Sequence, residues 1–115
     1  MIEHTPWRHV NSPGAPVHAI YRHLTDTTSI YWPANVRDIS TTAIRLLVPR
    51  PVRPGRLLSL RLSSPNEAAP ITRLVMVVGF QSHGATWLLV GLFTEPLTEE
   101  ELQQLVPEEA MCGTH

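Results

Sequence analysis

The sequence predicts an all-β domain, an antiparallel barrel or sandwich of six short strands followed by one short C-terminal helix. Three observations carry this expectation. Segments such as AIRLLV and LLSLRL alternate apolar and polar residues, which is the period of a half-buried strand. Proline, glycine and Asp/Ser/Thr clusters separate these segments, and eleven prolines in 115 residues disfavour long helices and unbroken inner strands. The one helical signature, LTEEELQQLVP, lies after the last strand segment.

Taken in order, residues 1–16 contain Pro6, Pro13, Gly14 and Pro16 and read as an extended arm without periodicity. VHAIYRHLT is a first strand ended by the turn signal DTTS. IYWPANVRDI is a second, with Trp32, Ala34 and Val36 on one face and Pro33 marking an edge or bulge. Asp38 and Ser40 close it two residues apart, hence on one face, and at least one is expected to accept a backbone amide bond. AIRLLV sets Ile44, Leu46 and Val48 against Arg45, PRPVRPG turns, and LLSLRL sends Leu58, Leu60 and Leu62 inward. ITRLVMVVGFQ and TWLLVGLF flank the turn SHG and are apolar on both faces, so a cover is expected, supplied by the C-terminal segment. There Thr98 and Glu101 form a capping box, Leu97 and Leu102 a hydrophobic staple, and Leu102, Leu105 and Val106 an apolar stripe stopped by Pro107. The expected organisation is an arm over 1–16, a barrel plus helix over 17–106, and a tail over 107–115.

Composition narrows the function. An apolar fraction of 43% with mixed charge is that of a folded soluble domain, and no apolar run is long enough to span a bilayer. MIEHTPWRHV lacks the pattern of a secretory signal and Cys112 has no disulfide partner, so a cytoplasmic location is expected. A net charge of −1 gives no general drive toward DNA or RNA. The distribution is uneven: all nine basic residues are arginine, seven of them between positions 37 and 73. Guanidinium groups fork onto phosphates and stack on bases, although a solvated surface also accounts for them. The six histidines show no metal-ligand spacing, and Ser40 has no nucleophile-elbow glycines, so neither a metal centre nor an enzyme is expected. Trp7, on the arm, needs a surface to lie on.

VRDISTTAIRLLVPRPVRPGRLLSLRL resembles the central block of a PilZ domain, and WLLVGLFTEPLTEEELQQL is similar to that family's last strand and helix. The resemblance implies a six-stranded antiparallel β-barrel with a short C-terminal α-helix, and cyclic di-GMP as ligand. It implies that an Arg-x-x-x-Arg pair on the arm grips phosphates and that an Asp-x-Ser-x-x-Gly motif meets guanine. Asp38 and Ser40 match that motif, and Ala43 stands where its glycine belongs. Before Asp38 no two arginines lie four apart; Arg8 is followed by Ser12 at that interval. The expected module is therefore a degenerate PilZ-like regulator, non-enzymatic and without a cofactor, acting on a protein partner through its barrel surface or helix. Weak or no cyclic di-GMP binding goes with that reading. The alternative is a functional receptor with an altered arm, its ligand held by Arg8, His9, Arg37, Asp38, Ser40 and Ala43, with Arg45 and Arg73 as further phosphate contacts.

Overall fold

The structure is a computed structural model that describes residues 7–10, 17–25, 30–64 and 69–106. Seven strands, β1 (Arg8–His9), β2 (His18–His23), β3 (Trp32–Ile39), β4 (Ala43–Val48), β5 (Leu57–Ser63), β6 (Ile71–His83) and β7 (Thr86–Phe93), precede one helix, α1 (Glu99–Leu105). Their order is β1-β3-β2-β5-β6-β7-β4, and an additional β3–β4 pairing closes the last six into a barrel. Every pairing is antiparallel. The barrel is the one expected from alternation; β1 is an addition to it. Arg8 pairs Ile39 and His9 pairs Asp38, so β1 occupies the edge of β3 beyond the point where β2, which pairs Trp32 to Asn35, has ended.

The core follows from the period-2 pattern. Leu58, Leu60 and Leu62 of β5, Ile44, Leu46 and Val48 of β4, Val75 and Val77 of β6 and Leu89 of β7 are all 0% exposed. Gly91 of β7 is buried among them, and a methyl group there would overlap the Cγ1 of Val75. Two of the strand connections turn on glycines. Gly55, at φ 93, follows Pro54 in a turn closed by Arg56 N–H donating to the Arg53 carbonyl at 3.3 Å, which is the place a type II turn reserves for glycine. Gly84, at φ 65, is the first central residue of the two-residue β6–β7 hairpin.

The expected capping box is present. Thr98 accepts from the Glu101 amide at 3.0 Å, and the Glu101 carboxylate accepts from the Thr98 amide at 2.9 Å. Leu97, Leu102, Leu105 and Val106 join the core cluster, so the helix plugs the barrel. It does not cover the outer face of β6 and β7, as the two-sided apolar pattern suggested. Leu74, Met76, Val78 and Leu92 there are 37–46% exposed. Among the described residues no helix is long and apolar enough to cross a membrane.

Candidate functional site

The site is made by a β-bulge. Alternation alone would put Asp38 on the face of Val36, inside the barrel. Instead Val36 pairs Leu46 while Asp38 pairs Arg45, leaving Arg37 as the extra residue in β3. A bulge of this kind bends the strand and re-aims the side chains beyond it. Val36 and Ile39 both remain in the core, and Asp38 is transferred to the outer wall beside Arg45. The arm then closes over it, held by an amide bond from Val10 to the Arg37 carbonyl at 2.9 Å.

Asp38 is consequently buried and fully engaged. Its Oδ1 pairs with His9 Nδ1 and its Oδ2 accepts from Arg45 Nη1 at 3.2 Å, its side chain being 3% exposed. Burial of an isolated carboxylate is costly, and two cationic or hydrogen-bonding partners offset that cost. Trp7 completes the lid: the Arg45 guanidinium lies 4.3 Å from the centre of its ring. This is the surface that the aromatic residue of the arm required, and a planar cation over an indole face is favourable.

Ser40 serves the backbone. Its hydroxyl accepts from the amides of Thr42 at 3.3 Å and Ala43 at 3.1 Å and donates to the Ala43 carbonyl at 3.2 Å, tying the corner between β3 and β4. Ala43 is buried in β4 and pairs with Leu92; no non-glycine residue among those described has positive φ, so its methyl group is unstrained.

Arg8 faces away from Asp38. Its Nη1 donates to the Val106 carbonyl at 2.7 Å and to Gln103 Oε1 at 3.1 Å, and Nη2 lies 3.9 Å from Glu99. A guanidinium at a helix C-terminus satisfies carbonyls the helix itself leaves open. Arg73 makes a comparable tie, to Glu101 at 2.6 Å and to the Glu95 carbonyl at 3.1 Å.

Beside Asp38 opens a cleft of about 700 Å³, its lining including the polar side chains of His9, Arg37, Asp38, Arg45, Gln81 and His83 and the apolar ones of Leu47 and Leu88. Of the residues singled out from sequence, it gathers His9, Arg37, Asp38 and Arg45. Arg8, Ser40, Ala43 and Arg73 lie outside its lining. Gln81 and His83, from the β6–β7 hairpin, escaped the sequence reading because they meet β3 only through barrel closure. The hairpin turn SHG was visible; what His83 faces was not. Chemically, the cleft offers two guanidinium groups and several hydrogen-bonding groups beside one already paired carboxylate, with apolar side chains in its lining. It suits a flat, polar, anionic molecule better than an apolar one. No cluster of metal-ligating side chains occurs among the described residues.

A family model for the PilZ domain matches residues 8–107. Among solved structures the chain is similar to the PilZ domain with c-di-GMP of YcgR from Escherichia coli, with a TM-score of 0.68 and 10% identity over 100% of both chains. At that identity the likeness speaks for the fold. No curated protein matches the chain.

Proposed function

Because the chain belongs to the PilZ domain family, we propose that it is a non-enzymatic regulatory module that acts by contact with a protein partner and binds cyclic di-GMP weakly or not at all. The observation that carries this reading is the state of Asp38. Both of its oxygens are engaged by the chain's own His9 and Arg45 and its side chain is only 3% exposed, so a guanine edge reaches it only by displacing one of these partners. A hydrogen bond to a charged group is worth about 1.5–3 kcal/mol, and breaking one before forming another removes most of the gain. The second supporting fact is Arg8, whose guanidinium is committed to the end of α1 and is not paired with a second arginine four residues on. A dissociation constant on the order of tens of micromolar or weaker follows for the dinucleotide.

The alternative, a working receptor, is favoured by one feature: the cleft is lined by two guanidinium groups, Arg37 and Arg45, and by the imidazoles of His9 and His83. A competition assay with labelled cyclic di-GMP separates the two. Wild type should hold the label weakly, and a Ser12→Arg, Ala43→Gly double variant, which rebuilds both family elements, should gain at least about tenfold in affinity, or about 1.4 kcal/mol. Tight binding by wild type with no gain in the variant would favour the receptor reading.

A further inference from the structure

The bulge that turns Asp38 outward also leaves Arg37 exposed and lining the same cleft. There its Nη1 lies 3.5 Å from Nε2 of His83, across 46 residues of sequence. Neither side chain has a carboxylate partner among the described residues. Among the described residues, the one acid lining the cleft is Asp38, and both of its oxygens are engaged elsewhere. A guanidinium facing an imidazole is at best a weak pair while the ring is neutral, and repulsive once it is protonated. An oxyanion seated between them converts the arrangement into two charge-assisted bonds. The elements that present these groups are fixed. The Arg37 carbonyl is held by the Val10 amide, and His83 accepts at its own carbonyl from the Thr86 hydroxyl across the hairpin at 3.0 Å.

We infer that Arg37 and His83 form a subsite for a phosphate or phosphodiester group in the cleft that Asp38 also lines. The inference rests on the cleft as the ligand site but not on recognition of guanine. The same chemistry is offered by a free phosphoanion and by the phosphodiester of a nucleotide, and the test separates them.

The experiment follows the histidine ring and arginine side-chain NMR signals of the full chain as pyrophosphate is added. Saturable shifts are expected at His83 and Arg37. The dissociation constant should rise at least about tenfold in Arg37→Ala and in His83→Gln, since each removes one charge-assisted partner. Arg56→Ala, on the Pro54–Gly55 turn, should bind as wild type does. Both test positions are exposed, so dispersed amide spectra should accompany the loss. Shifts that do not saturate by about 10 mM, weaker than a specific subsite would give, overturn the subsite, as does undiminished binding in both variants. A parallel titration with cyclic di-GMP distinguishes this inference from the receptor reading. Pyrophosphate binding without dinucleotide binding retains the subsite and removes the receptor. Dinucleotide binding that survives both substitutions retains the receptor and overturns the subsite.

Discussion

Replacing Asp38 with alanine tests whether that carboxylate is part of the fold or only a ligand contact. A residue kept purely for a ligand, buried and charged, costs stability, and its removal should be neutral or stabilising. Here the carboxylate joins three elements: the arm through His9, β4 through Arg45, and β3 on which it sits. Each charged hydrogen bond is worth about 1.5–3 kcal/mol where both ends are shielded. The partners are less shielded than Asp38 itself, with side-chain exposures of 72% for His9 and 39% for Arg45. Both recover hydration on truncation, so the His9 share shrinks to that of a surface pair. The sum comes to about 2 kcal/mol, or a fall in Tm of about 8 °C for a domain of this size. Urea unfolding followed by tryptophan fluorescence should show a lower midpoint at unchanged m-value. Asp38→Asn, which keeps the shape but not the charge, should lose about half as much. A double-mutant cycle with Arg45→Ala should return a coupling of about 1 kcal/mol. An unchanged or raised midpoint in Asp38→Ala would refute the structural role and with it the argument that the site is internally satisfied.

Leu102→Ala should cost about 2–4 kcal/mol by equilibrium unfolding, because the leucine is 2% exposed and plugs the barrel; no loss would mean that α1 is undocked. Gly91→Ala should cost about 1–3 kcal/mol through overlap with Val75, whereas Gly79→Ala, at the β6 bulge with open space around it, should change stability far less. The backbone bond from Thr98 and, after it, the bond and charge of Arg73 hold the Glu101 carboxyl below its ordinary value of 4.5. Its stabilising contribution is therefore present above that value and lost as pH falls below it, through the folded-state value. Glu101→Gln should flatten the acid limb of a stability-against-pH curve, and an unaltered limb would dissociate the capping box from acid unfolding.

Strand content, core residues and the helix cap were legible because they are local. Leu58, Leu60 and Leu62 declare their face by spacing alone, and Thr98 and Glu101 declare the helix start within four residues. The bulge at Arg37 was not legible, since it is visible only in the register of β3 against β4, and it decides which way Asp38 points. Nor was the pairing of His9 with Asp38, 29 residues apart, or the approach of His83 to Arg37. These contacts depend on barrel closure, and no periodicity encodes it. The outer face of β6 shows the opposite failure. A strand apolar on both sides suggested a local cover, but α1 spends its leucines on the core and leaves Met76 and Leu92 exposed.

The groups a PilZ site would offer to its dinucleotide, Asp38, Ser40 and Arg8, are already committed within this chain. Isothermal titration of the wild-type protein with cyclic di-GMP tests this most directly. No saturable heat is expected, or a dissociation constant on the order of tens of micromolar or weaker. A saturating isotherm with a dissociation constant below about one micromolar would contradict it.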